Sequence, residues 1–137
     1  MPKNCNFIEK LREIGLRPTK QRVKMCEVLF NREKTFHFTI NDLVKMISDE
    51  MNEKISLATV YNTLRQFVDA GLLREVLAGP GRSYFDTDIS HHHHFYHVDE
   101  NRLEDLPIGV VSVESLPQPP AGSEIERVDV VIRLRRH

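Results

Sequence analysis

Apolar residues in the front of the chain recur at helical spacing; beyond residue 71 they alternate or cluster in short runs. The spacing predicts a first helix over Phe7–Ile14, closed by Gly15. Thr19 is placed to cap a second helix whose inner side is Val23, Cys26, Val28, Leu29 and Phe30. Thr39 caps a third over Ile40–Ile47, and Ser56 opens a fourth that ends at Ala70, with Gly71 as a left-handed stop. In that fourth helix Val60, Leu64, Phe67 and Val68 form a single apolar stripe. Leu72–Leu77 then alternates as a strand, Gly79-Pro-Gly81 turns, and Arg82–Phe85 returns. Helices followed by a two-stranded hairpin are the parts of a winged helix-turn-helix, with the third and fourth helices as its pair.

From Asp86 the pattern changes. A histidine run is followed by His97–Pro107, read as strand and turn, then Gly109–Val113 as a second β-like run. Pro117–Gly122 reads as a rigid connector and Val128–Leu134 as a last strand. The expected fold is α+β: an N-terminal winged helix-turn-helix domain (1–85) followed by a small α/β-type dimerisation domain (86–137). The rear part holds three or so short strands and almost no helix, too little core to stand alone. Pairing with a second copy solves that problem, and a twofold dimer also suits palindromic DNA half-sites.

The outward side of the fourth helix carries Ser56, Ala58, Thr59, Tyr61, Asn62 and Arg65. A solvated face usually carries Glu and Lys. Small, amide, phenol and guanidinium groups are instead the types that reach base edges and phosphates. Charge supports this reading: residues 1–85 hold 14 Lys/Arg against 10 Asp/Glu, residues 86–137 hold 5 against 10. A basic front and an acidic rear suit a nucleic-acid module joined to a part that does not touch nucleic acid. Met1-Pro-Lys-Asn-Cys5 shows no leader pattern and no apolar run could span a bilayer, so a cytoplasmic protein with no membrane partner is expected. Two cysteines, Cys5 and Cys26, are too few for a disulfide framework.

The motifs Gly15-Leu-Arg-Pro-Thr-Lys-Gln-Arg22, Leu57-Ala-Thr-Val-Tyr-Asn-Thr-Leu64, Asp69-Ala-Gly-Leu72 and the histidines after Tyr84-Phe-Asp86 occur in an order and spacing that resembles the ferric uptake regulator (Fur) family. His92-His-His-Phe-Tyr96 and the ending Pro119-Pro-Ala-Gly…Arg127–Arg135 are most similar to its iron response regulator (Irr) branch. The resemblance implies a homodimeric repressor of iron homeostasis type that binds double-stranded DNA at a palindromic, A·T-rich operator. Tyr61 matches the residue that meets base edges, its ring suited to a thymine methyl and its hydroxyl to a phosphate. Asn62 stands where Arg is common, and an amide pairs with adenine. Arg17 matches the basic residue that enters an A·T-rich minor groove. Lys20 and Arg22 match phosphate contacts, with ordinary surface charge as the alternative; Thr59 contacts phosphate or supports the helix.

His37, Asp86 and His93 match three ligands of the family's regulatory metal site, a donor set that suits Fe²⁺, Mn²⁺ or Zn²⁺. A cation on all three would clamp the DNA-binding part against the dimerisation part. Phe95 stands where the family has a histidine, and His94 where an Asp is common; a rearranged site completed by His91 or water is expected. His92 and His94 form a second set, with Glu104 or Asp129 near, since alternation along a strand separates them from His91 and His93. In the Irr branch the run is associated with haem, so His92, His93 and His94 are also haem candidates. There is no CxxC pair for a structural zinc, and Cys5 precedes Asn6 where some members have Cys-Pro. A peroxide-responsive regulator that uses bound iron is the alternative within this fold. A metal-dependent hydrolase is the remote one: no HExxH-like motif is present, Glu100 and Glu104 qualify by proximity alone, and the protein is not expected to be an enzyme.

Overall fold

The computed structural model describes residues 6–52 and 54–137. Met1-Pro-Lys-Asn-Cys5, where no leader pattern is expected, lies outside them. The chain divides into two compact units, the first ending at Ile89 and the second running from Ser90 to His137. The sequence-based divide at 85/86 differs from this one by the end of the hairpin and the turn after it.

The first unit holds α1 (Phe7–Glu13), α2 (Lys20–Phe30), β1 (His37–Phe38), α3 (Ile40–Met51), α4 (Leu57–Asp69), β2 (Arg74–Gly79) and β3 (Arg82–Asp86). Each helix starts where a side-chain oxygen satisfies an orphan amide. Asn6 accepts from Glu9 N, Thr19 from Arg22 N, Thr39 from Asp42 N and Ser56 from Thr59 N. At α3 the arrangement is reciprocal, because Asp42 also accepts from Thr39 N at 2.9 Å. That box, and Asn52 in the left-handed conformation, carry α3 a turn beyond Ile47, where the apolar pattern alone would stop it. Gly71, at φ +80°, ends α4 and turns the chain into β2.

One core binds these helices: Leu11, Met25, Cys26, Val28, Leu29, Phe38, Leu43, Ile47, Val60, Leu64, Phe67, Leu73 and Phe85. Each large side chain contributes about 1.5–3 kcal/mol by leaving water. Met25 is fully buried, whereas the expected Val23 and Phe30 are only half-buried. The sheet order is β1-β3-β2, all antiparallel, so the expected hairpin gains a third strand. The two residues of β1 carry no period that a sequence pattern can detect.

The second unit holds β4 (His94–His97), β5 (Arg102–Asp105) and β6 (Val131–Leu134), in the order β5-β4-β6. β4 runs antiparallel to β5 and parallel to β6. No helix occurs among its described residues. Tyr96, Leu103 and Leu106 supply its small apolar interior, and the Tyr96 hydroxyl donates to Asn101 Oδ1 at 3.1 Å. Gly109–Val113, expected as a strand, forms turns and irregular chain instead. Gly109 sits at φ +89° and no described strand pairs with the run, so Val110 and Val113 stay exposed while Val111 is half-buried. Among the described residues no helix is long and apolar enough to cross a membrane.

Candidate nucleic-acid face and candidate metal centre

The inward stripe of α4 is fixed by the core, which determines what faces out. Val60, Leu64 and Phe67 are buried; Leu57, Ala58, Tyr61 and Asn62 are exposed, Tyr61 at 43 % and Leu57 at 54 %. Leu57 was not among the outward residues expected from the pattern, because an apolar residue at a helix start reads as core. Ser56 is used locally: its hydroxyl accepts from Thr59 N at 3.1 Å and donates to Thr59 Oγ1 at 2.8 Å. The Thr59 carbonyl in turn accepts from Thr63 Oγ1 at 2.9 Å. Arg17 and Lys20 are exposed beside the start of α2.

Two of the expected DNA-contacting guanidinium groups are committed within the protein. Arg65 donates to Glu75 Oε1 at 2.8 Å, and the other Glu75 oxygen accepts from Ser83 Oγ at 2.9 Å, tying α4 to both strands of the hairpin. Glu75 first, and Tyr61 second, hold the Arg65 pKa above its ordinary value by hydrogen bonding to the charged form. Arg22 donates through Nη1 to the Arg17 carbonyl at 2.8 Å and through Nη2 to Gln66 Oε1 at 3.1 Å. Charge count alone cannot distinguish such braces from free cations.

In the first unit, His37 on β1 lies opposite Asp86 on β3, and Arg74 on β2 lies opposite the same Asp86 from the other side. Asp86 is buried, and its Oδ1 accepts from Asp88 N at 2.9 Å. The His37 ring meets Tyr84 edge-on, with 6.2 Å between centroids.

In the second unit the four histidines sort by parity. His92 and His94 lie side by side with ring centroids 4.7 Å apart, and His91 and His93 at 5.0 Å. His94 opposes Asp105 in the β4–β5 ladder. Asp105 Oδ1 stands 3.4 Å from His92 Nε2 and 3.1 Å from His94 Nε2, and both imidazoles are at least 96 % buried, at 4 % and 1 % exposure. His92 Nδ1 faces the Ser90 carbonyl at 2.8 Å; a carbonyl only accepts, so Nδ1 carries a proton and the neutral ring presents its lone pair at Nε2. A lone pair and a carboxylate oxygen at that separation need a cation between them, a proton or a metal ion. Bonds of about 2.1 Å to one ion give ligand–ligand edges of roughly 3.0–3.4 Å between octahedral and tetrahedral geometry. The observed spacings match, so two imidazoles and a carboxylate fit a divalent first-row metal.

His93 is held differently. Its Nδ1 accepts from Val130 N at 3.1 Å, so the neutral ring carries its proton on Nε2 and has no spare lone pair there. His91 Nε2 meets the Val128 carbonyl at 3.2 Å. The structure therefore brings His92 and His94 together with Asp105, and leaves His93 and His91 tied to the irregular chain just before β6. Glu104 and Asp129, the acids considered for that pair, are engaged elsewhere: Glu104 with His97 at 2.7 Å and Asp129 with Arg127 at 2.9 Å. Asp105 was missed because Glu104 and Asp105 are adjacent and only strand register decides which one faces His92 and His94.

Fold and donor set together define the class: a winged-helix protein with a transition-metal donor set in its second unit. The profile of the ferric uptake regulator family matches residues 13–116, and the chain belongs to that family. It is 42 % identical over 83 residues to the ferric uptake regulation protein of Shigella flexneri, covering 61 % of this chain and 55 % of that one. The chain thus spans about half the length of that relative. It is 34 % identical over 119 residues to the peroxide operon regulator of Bacillus subtilis, 86 % of this chain and 80 % of that protein. Among solved structures, the ferric uptake regulator of Pseudomonas aeruginosa with manganese is similar at TM-score 0.66 and 26 % identity, covering 93 % of this chain and 96 % of that one. The ferric uptake regulator of Vibrio cholerae shares the fold at TM-score 0.69 and 23 % identity, with 96 % and 100 % covered.

Proposed function

We propose that this protein is a dimeric, metal-responsive DNA-binding transcription regulator whose α4 reads duplex DNA and whose His92, His94 and Asp105 hold a divalent ion. The observation that carries the metal part is the single Asp105 oxygen shared by the buried Nε2 atoms of His92 and His94, with the Nδ1 of His92 turned to the Ser90 carbonyl. Fe²⁺, Mn²⁺ and Zn²⁺ all accept such donors, and the bound ion would supply the positive charge that draws these three groups together. For DNA, Tyr61 and Asn62 present the reading groups, and Arg17 and Lys20 present the free cations. The exposed apolar residues of the second unit, Ile108, Val110, Val113 and Leu116 among them, are what a second copy would cover.

Within the family we read the chain as nearest the iron response branch, on the histidine run and the 119–135 ending, which makes haem the competing ligand. Titration with Fe²⁺, Mn²⁺, Zn²⁺ and haem, while following binding to a palindromic A·T-rich duplex, tests all of this. A metal-dependent change in DNA affinity supports the reading. Unchanged affinity under every ligand defeats the regulatory part, and a haem Soret band with no metal response moves the ligand assignment to haem.

A second reading, peroxide response through bound iron, is favoured by the carboxylate in the donor set and by the likeness to the Bacillus subtilis regulator over most of both chains. Mass spectrometry of iron-loaded protein after peroxide separates the two. Oxygen gained on His37 or on a histidine of the 91–94 run favours the peroxide sensor.

Two variants follow. Arg17→Ala should weaken binding by about tenfold on A·T-rich flanks, where a narrow minor groove concentrates negative potential, and less on G·C-rich ones. Equal loss on both flanks would reduce Arg17 to a plain phosphate contact. His37→Ala should reduce the metal-dependent change in DNA affinity, and an undiminished response detaches His37 from the switch.

A further inference from the structure

We infer that Arg22 is a positioning residue that fixes the Arg17 loop against α4, so that minor-groove and major-groove reading groups are presented in one register. The inference rests on the DNA-binding reading above and assigns a role that charge alone would not. Arg22 sits in the first turn of α2, where its cation would be expected to meet a phosphate. Its two terminal nitrogens are instead spent on opposite sides: Nη1 on the Arg17 carbonyl, 2.8 Å, and Nη2 on Gln66 Oε1, 3.1 Å. The Arg17 carbonyl also accepts from Thr19 N at 2.8 Å, so two donors pin the backbone of the residue expected to enter the minor groove. Gln66 lies on α4, four positions on from Asn62 and therefore next to it on the same face of the helix. Around this brace, Thr19, Gln21, Arg22, Thr59, Asn62 and Gln66 line an open groove between the starts of α2 and α4.

The fork of a guanidinium is what the arrangement needs. A planar group donates in two fixed directions at once, whereas an ammonium is a point charge with no such span. Lysine would keep the charge at position 22 and lose the bridge. The brace and the phosphate contact therefore make opposite predictions for Arg22→Lys.

The experiment measures affinity for the duplex that the wild-type protein selects from a randomised pool, in versions with A·T-rich and G·C-rich flanks, at fixed salt. Arg22→Lys and Arg22→Met are expected to lose roughly tenfold each and to bring the A·T/G·C flank ratio close to one. Gln66→Leu, which changes no charge, should move the same ratio in the same direction. Added to Arg17→Ala, Arg22→Met should cost little more, because it acts through Arg17. Circular dichroism checks that each variant is folded, and Gln66→Leu carries the test if the Arg22 variants are not. Full affinity in Arg22→Lys, an unaltered flank ratio in Gln66→Leu, or additive losses with Arg17→Ala would each overturn the inference while leaving DNA binding standing. A wild-type protein that selects no duplex would overturn both.

Discussion

Tyr61→Ala is expected to abolish sequence-specific DNA binding while the protein stays folded. The side chain is 43 % exposed and stands beside the core of Val60, Leu64 and Phe67 without belonging to it, so its removal opens no cavity. What it removes is the largest reading group on that face. A well-placed base contact discriminates by about 1–3 kcal/mol, and a twofold complex uses the residue twice. The combined loss is roughly 30-fold to 10⁴-fold in affinity for the selected duplex. Binding to scrambled duplex should change little, because that term belongs to phosphate neutralisation by groups such as Lys20. Fluorescence anisotropy on selected and scrambled duplexes at one salt concentration measures both. Tyr61→Phe divides the effect further: loss of the hydroxyl alone removes a phosphate partner and the Arg65 contact but keeps the ring for a thymine methyl. Undiminished discrimination in Tyr61→Ala would take α4's tyrosine out of the readout.

The helices and the hairpin were legible in the sequence because their signals are local. Thr19, Thr39 and Ser56 stand at the helix starts as oxygens facing an amide three residues on, and Gly71 supplies a backbone conformation that other residues adopt at a cost. The inward stripe of α4 is likewise a matter of period. The second unit was less legible. Val110–Val113 has strand-like composition, yet β propensity describes a fit to a pleated neighbour, and this run has none among the described residues. The parallel pairing of β4 with β6 joins residues 37 positions apart, a relation that no window along the chain contains.

The donor set shows the same division. Alternation predicted that His92 and His94 would share a side, and they do. Which acid meets them depended on how β5 registers against β4, and a slip of one residue would exchange Asp105 for Glu104. Nor could spacing reveal that His93 spends its Nδ1 lone pair on the Val130 amide. Chemical type was visible early; the hydrogen-bond partner that decides whether an imidazole can ligate became visible only with the backbone in place.

Asp105→Asn should therefore cost metal affinity far more than Glu104→Gln. The two acids are neighbours of similar exposure, and each change removes one charge at nearly constant volume. Glu104 lies against His97 and Arg102, so its loss touches only a surface ion network worth little. Asp105 offers the one oxygen that both buried Nε2 atoms face. Outer-sphere partners of a metal site alter affinity by 10–100-fold, and a direct ligand is expected to exceed about 100-fold. His94→Ala would strike the same centre, but it also removes a fully buried ring, and the void would confuse stability with binding. The asparagine variant avoids that ambiguity. Isothermal titration with Mn²⁺ reads the affinity directly, and thermal melting reads it through linkage. At a hundredfold excess over Kd the ion should stabilise the wild type by about 2.7 kcal/mol, and the shift should vanish in Asp105→Asn but persist in Glu104→Gln. Equal behaviour of the two variants would mean that the ion sits elsewhere and that His92 and His94 share only a proton with Asp105.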